Sequence, residues 1–153
     1  MGVKREPILR LEDTPFETSG QDCVFETKTV KVYNDKWPVC EGHLLFVPKK
    51  NTPEFIAFAC AEAIKHGNEL MKNGDIDAYH FGMNIGEQAG QTVMWPHVHF
   101  IPRHEDDCEG FPGSVRLAHR NGRGAKYYME HPDFKDEYIE KHKEHATIKG
   151  FSE

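Results

Sequence analysis

The sequence predicts an α+β domain, a meandering sheet of short strands with one long helix packed on it and a second helix at the C-terminus. Three observations carry this. Short runs of strand-like alternation are separated by turn residues, one 20-residue segment repeats apolar residues near 3.6, and the strand runs do not alternate regularly with helices. The chain has 153 residues and a net charge of −6, the size of one domain. A single domain over 1–153 is expected, with its core at about 23–116 and a C-terminal extension at 117–153.

Residues 1–21 are polar and broken by Pro7 and Pro15, and read as an irregular lead-in. Cys23 to Tyr33 alternates, with Val30 and Val32 around Lys31, and reads as a strand. Asn34-Asp35-Lys36 is a turn signal. A second strand is expected from Val39 to Val47, ended by Pro48. Thr52-Pro53-Glu54 has the form of a helix start, with a Thr cap, Pro at the first helical position and an acid in the first turn. Ile56, Ala59/Cys60, Ala63/Ile64 and Leu70/Met71 carry the helical repeat, and Asn73-Gly74 closes it. Gly67 lies inside this helix at a cost of about 1 kcal/mol against Ala, which points to close packing or a weak spot there. Tyr79 to Ile85 reads as a strand, Gly86 to Gly90 as a loop, and Thr92 to Ile101 as a strand stopped by Pro102. An acidic loop at 104–114, a basic Gly-rich stretch at 119–128 and a charged helix from Pro132 to His145 follow.

Composition excludes several classes. No apolar run approaches the ~18 residues of a membrane helix, and the N-terminus leads into no long apolar stretch, so neither membrane partner nor signal peptide is expected. The acidic balance argues against duplex nucleic acid as a partner. Cys23, Cys40, Cys60 and Cys108 form no CxxC pair, which reads as free thiols in a reducing cytoplasm. Ten histidines are many for this length, and histidine titrates closest to neutral pH.

The informative segment is Gly90-Gln91-Thr92-Val93-Met94-Trp95-Pro96-His97-Val98-His99-Phe100-Ile101-Pro102-Arg103. On a strand, His97 and His99 share one face while Val98 and Phe100 take the other. Gln91 and Thr92 supply polar groups at the same end. Alone, the pair could be two solvent-facing histidines, or half a metal site completed by Asp106 or Asp107.

In context the segment resembles the histidine triad (HIT) superfamily of nucleotide hydrolases and transferases. Its signature alternates three histidines with apolar residues, after Gly-Gln-Ser/Thr-Val and, in the dinucleoside polyphosphate hydrolase branch, before Ile-Pro-Arg. Asp35-Lys36-Trp37-Pro38-Val39-Cys40-Glu41-Gly42-His43-Leu44-Leu45-Phe46-Val47-Pro48-Lys49 resembles a second family block, and Asn84 stands where the family carries a polar residue on the phosphate side. In this register His97 is the middle histidine, His99 the third, and Trp95 stands in place of the first. Trp95-Pro96-His97 is also similar to the His-Pro-His of galactose-1-phosphate uridylyltransferases.

The resemblance implies that His97 attacks an α-phosphorus to give a nucleotidyl-histidine, oriented by the Trp95 backbone carbonyl. His99, Asn84, Gln91 and Thr92 serve the phosphate, Asp35 the ribose, and His43 faces the site. Asp35 as a turn former and His43 as a packed or surface histidine are the alternatives. It also implies a HIT-like α+β fold with an antiparallel sheet of about five strands, a homodimer, a small nucleotide substrate and no cofactor. Many bacterial relatives bind a structural zinc at four positions occupied here by Cys23, Glu26, Asn51 and Trp95, so no zinc is expected. Gly113-Ser114-Val115-Arg116 resembles a Gly-Gly-Val-Arg segment after the triad in some relatives, though Arg103, His104 and Arg116 also read as solvated positions, as do His131, His142 and His145. Trp37 and Trp95 read as packing residues, with a place at the border of the site as the alternative for Trp95. The expected activity is hydrolysis of a dinucleoside polyphosphate or nucleoside phosphoramidate at the α-phosphate. The alternatives are a nucleotide-binding protein without catalysis and a metal-dependent enzyme using His97 and His99.

Overall fold

The computed structural model describes residues 5–105, 107, 115 and 130. The expectations at Asp106, Cys108 and Arg116, and for the C-terminal helix, lie outside the described residues. The chain divides into two compact units, Met1–His104 and Glu105–Glu153; everything below concerns the first.

Five antiparallel strands form one sheet in the order β1-β2-β3-β5-β4. They are β1 (Cys23–Glu26), β2 (Val30–Asn34), β3 (Leu44–Pro48), β4 (Ala78–Gly82) and β5 (Val98–Arg103). The first expected strand is thus two. Thr27 Oγ1 accepts from the backbone N–H groups of Thr29 and Val30 and closes a tight turn inside the alternating run, a local alternative to a continuous ladder.

The expected strand from Val39 begins only at Leu44. Asp35 N–H donates to His43 O, and Gly42 sits at φ +87°, where a side chain is strained. Residues between Asp35 and His43 therefore form a compact loop. β4 starts at Ala78 and stops at Gly82, three residues before Ile85. Of the strand expected over Thr92–Ile101, only Val98 onward pairs, and Pro102 lies inside β5 instead of ending it. β3 pairs with β5 no further than Phe100, so Pro102 stands where one flank has no partner, a tolerated place for a residue without an N–H.

The long helix α2 (Pro53–Lys72) is capped as its sequence predicts, Thr52 Oγ1 accepting from Phe55 N–H at 3.2 Å. Ala59, Ala63 and Gly67 are its buried residues, a small-residue stripe that lets the helix lie close on the sheet. At Gly67 the approach is closest: a Cβ there would lie 2.5 Å from the Tyr79 ring.

The lead-in is not irregular. A 3₁₀ turn at Leu11–Asp13 and a one-turn helix, α1 (Pro15–Thr18), cover the sheet face opposite α2. β3 is consequently buried on both faces. Leu44 and Phe46 join Val30, Val32, Val98 and Phe100 under α2. Leu45 and Val47 join Leu11, Phe16, Tyr33 and Trp95 on the other side. Burying each large apolar side chain contributes about 1.5–3 kcal/mol. Glu17 ties the lead-in down, accepting from Lys31 Nζ at 2.6 Å and from the Tyr33 hydroxyl. These hydrogen bonds, Lys31 first, hold its carboxyl below the usual range.

Candidate active site

The face covered by α1 also carries the histidines. Pro96 fixes φ just before His97, and β5 begins one residue after it. His97 therefore precedes the strand. Val98 and Phe100 point into the core under α2, and the rings of His97 and His99 lie on the opposite side, 5.3 Å apart. Trp95 anchors this approach. Its indole is buried and its Nε1–H donates to Pro48 O at the end of β3, 3.0 Å away. The edge of His97 meets Phe16, with ring centroids 5.4 Å apart.

Each imidazole has its tautomer set by a neighbour. His97 Nδ1 lies 2.8 Å from the Trp95 carbonyl. A carbonyl only accepts, so Nδ1 carries the hydrogen and Nε2 keeps a lone pair. His43 Nδ1 accepts the Val39 N–H at 3.1 Å, so the His43 hydrogen is on Nε2. That nitrogen is 2.9 Å from His99 Nδ1. His99 Nδ1 must then accept, which leaves His99 Nε2–H as a donor. A backbone N–H thus sets a relay of two rings that ends in a hydrogen-bond donor beside the free lone pair of His97.

All three rings are held neutral. Burial pushes His97 below its usual value, outweighing the Trp95 carbonyl and Asp35, which act the other way. Burial also lowers His43 against the pull of Asp35. His99 falls to about 4, through burial first and then His97 and His43. A neutral ring is what a nucleophile needs, since protonation removes the lone pair.

A cavity of about 340 Å³ opens over these rings, and Asp35, Asn84, Thr92, His97 and His99 all line it. Asp35 is fixed twice. Its Oδ1 accepts the Trp37 N–H at 2.7 Å, and its Oδ2 lies 3.4 Å from His43 Nε2. Asp35 thus closes the turn and also lines the cavity. His43 is buried behind the wall and reaches the site through His99.

Gln91 stands apart from this group. Its Oε1 accepts Gly86 N–H and its Nε2 donates to Val93 O, so the amide braces the loop before the histidines. Trp37 is also not a packing residue: it is 81% exposed and lines the same cavity. Phe16, Lys36, Leu45 and Val93 also line it. None of them was singled out from the sequence, although Thr14-Pro15-Phe16-Glu17 repeats the cap signature of α2.

Asp35 Oδ2, His43 Nε2 and His99 Nδ1 lie within 4.8 Å of one another, a spacing suited to a metal ion. The donor chemistry does not fit one. His43 Nε2 holds the hydrogen that the Val39 N–H forces onto it, so it has no lone pair to give. The positions of the relatives' structural zinc do not fit either. Glu26 is paired with Lys49 at 2.8 Å, and Trp95 offers a buried indole.

A family profile described as HIT domain matches residues 17–106. The chain belongs to the HIT family. Among HIT relatives, the adenylylsulfatase HINT3 of Arabidopsis thaliana is 30% identical over 143 residues, covering 73% of each chain. An asymmetrical bis(5'-nucleosyl)-tetraphosphatase of Schizosaccharomyces pombe is 27% identical over 58% of this chain and 52% of its own. The crystal structure of a HIT family protein from Bacillus anthracis superimposes with a TM-score of 0.51 at 30% identity, over 79% of this chain and 86% of that one.

Proposed function

We propose that this HIT protein hydrolyses a nucleotide at its α-phosphate through a nucleotidyl-histidine on His97, with a dinucleoside polyphosphate or a nucleoside phosphoramidate as substrate. The observation that carries the reading is the hydrogen-bond direction at His97: Nδ1–H is spent on the Trp95 carbonyl, so the lone pair is on Nε2. The HIT relatives named as hydrolases of adenylyl sulfate and dinucleoside tetraphosphate support it.

In the first step His97 Nε2 attacks the α-phosphorus. A P–N bond forms, the bond to the leaving group breaks, and the leaving group departs with the electron pair and takes up a proton from water. In the second step a water oxygen attacks the same phosphorus. The P–N electrons return to Nε2, the water gives up a proton, and the nucleoside monophosphate leaves. Covalent catalysis replaces one hard displacement by two easier ones. Charge on the phosphoryl oxygens grows in both steps, and the His99 Nε2–H is a donor already held in place for it. Asn84 and Thr92 add polar groups to the same wall, and Asp35 is placed to accept from ribose hydroxyls.

The test is turnover of a dinucleoside tetraphosphate and an adenosine phosphoramidate by the wild type, His97→Ala and His97→Gly, beside AMP titrations. Turnover should fall at least roughly 10³-fold in both variants, with AMP affinity changed little. Wild type quenched in alkaline denaturant, which preserves a P–N bond, should carry a nucleotidyl group on His97. Wild-type rates in both variants would remove His97 from the chemistry. Nucleotide binding without turnover by the wild type would favour a binding protein. The free thiols of Cys23, Cys40 and Cys60 support action in a reducing compartment such as the cytoplasm, and sedimentation tests the homodimer that family membership suggests.

A further inference from the structure

The cavity over His97 and His99 has two different aromatic walls. The inner one is Phe16, buried and edge-on to His97, with Leu45 and Val93 beside it. It is a largely buried apolar wall. The outer one is Trp37, whose side chain is almost entirely in solvent although its backbone is fixed by the bond from its N–H to Asp35 Oδ1. A large aromatic surface left in water at the mouth of a cavity, on an anchored turn, needs a reason, because burying it elsewhere would have been favourable. Lys36 Nζ lies 5.9 Å from the Trp37 ring centroid. Among the described residues lining the cavity, Lys36 is the one lysine or arginine, on a chain whose net charge is −6.

One nucleotide cannot use both walls in the same way. With its phosphate at His97 and His99, the base of the transferred nucleotide has the buried apolar wall of Phe16, Leu45 and Val93. The exposed ring and the cation then face whatever leaves. We infer that Trp37 and Lys36 form a leaving-group subsite, selective for leaving groups that carry both an aromatic ring and negative charge. This rests on the reaction proposed above and specifies which of its substrates the site prefers. Stacking on Trp37 holds the ring of the leaving group, as aromatic side chains hold unpaired bases elsewhere. Lys36 offsets the charge of its phosphates.

The experiment has two arms. In the first, the specificity ratio is measured: kcat/KM for diadenosine tetraphosphate divided by kcat/KM for an adenosine phosphoramidate with a small aliphatic amine. Both substrates transfer the same adenylyl group, so the ratio reports the leaving group. Trp37→Ala should lower the ratio about tenfold, the change expected for one lost stacked base, Trp37→Phe should largely restore it, and Lys36→Ala should lower it more at low salt than at high. An unchanged ratio, including one in which both substrates slow equally, would overturn the inference and place Trp37 against the transferred base or outside binding. The second arm needs no turnover. A non-hydrolysable diadenosine tetraphosphate analogue should quench the fluorescence of exposed Trp37 in the wild type and not in Trp37→Phe, while AMP quenches little. Equal quenching by AMP would likewise overturn the inference. A wild type that hydrolyses neither substrate but shows the analogue-specific quench would refute the proposed reaction and leave the subsite standing.

Discussion

Gly67→Ala sets two effects of known sign against each other. In an exposed helix the change would stabilise by about 0.8–1 kcal/mol, because glycine is a poor helix former. Here the new methyl would lie 2.5 Å from two carbons of the Tyr79 ring and 2.7 Å from a third, closer than atoms approach without something moving. The ring is not free to swing. Its hydroxyl donates to Asn68 Oδ1 at 2.8 Å and lies 3.3 Å from Ile64 O, and its face meets Phe100 with centroids 5.3 Å apart. Overpacking of this kind costs about 1–3 kcal/mol, and a displaced ring also loses its hydrogen bonds, each worth about 1 kcal/mol. The clash wins, and the net effect is a loss of about 1–3 kcal/mol. Urea denaturation followed by circular dichroism measures it, as a lower midpoint at an unchanged slope. The same substitution in a Tyr79→Ala background should change sign and stabilise by up to about 1 kcal/mol, since the obstacle is gone. A Gly67→Ala single variant as stable as the wild type would show that α2 does not rest on Tyr79 as described.

Trp95→Phe removes the donor to Pro48 O and should cost about 1–3 kcal/mol, read as a fall of roughly 2–12 °C in Tm by calorimetry. His99→Ala should lower kcat by about 10²–10³ with a smaller change in nucleotide affinity, because its donor acts mainly on charge formed during reaction; steady-state kinetics on either substrate decides. The neutral histidines predict an acid-side weakness. His99 drops from 6.5 to about 4 on folding, so its contribution is complete above about pH 6.5 and is lost as pH falls toward 4. The loss is on the order of 3 kcal/mol, and His97 and His43 add to it in the same direction. Denaturation midpoints from pH 7.5 to 4.5 should fall, and fall less steeply in His99→Gln. A slope equal in both proteins would contradict the assignment.

How far the sequence could be read depended on how local the cause was. Helix α2 was legible from Thr52-Pro53-Glu54 to Asn73-Gly74 because caps and periodicity lie within the segment itself. His97, His99, Asp35, Asn84 and Thr92 were legible as one group through the resemblance, and they share one cavity. The break at Thr27 was hidden by continuous alternation, and only the side-chain bonds of that threonine reveal it. Phe16 was passed over because its importance comes from the topology that folds a distant lead-in over the sheet. Gln91 is the opposite case. A polar residue beside the histidines looks like a ligand, and nothing in the sequence says that Gly86 and Val93 will occupy both ends of its amide. Trp37 was read as core because tryptophan usually is; its exposure depends on the turn that Asp35 closes.

The way the site is mounted divides it into a part that evolution can vary and a part that it cannot. His97 and His99 stand on or beside β5, locked by the Trp95 indole, and β5 lies against β3, whose alternate residues belong to two separate cores. A change there is felt on both sides of the sheet. Lys36, Trp37 and Asn84 sit on segments outside the ladder and outside both cores, where substitutions leave the sheet intact. On the reaction proposed above, a lineage carrying this domain can therefore exchange one nucleotide partner for another by small steps in its loops while keeping the same phosphorus chemistry.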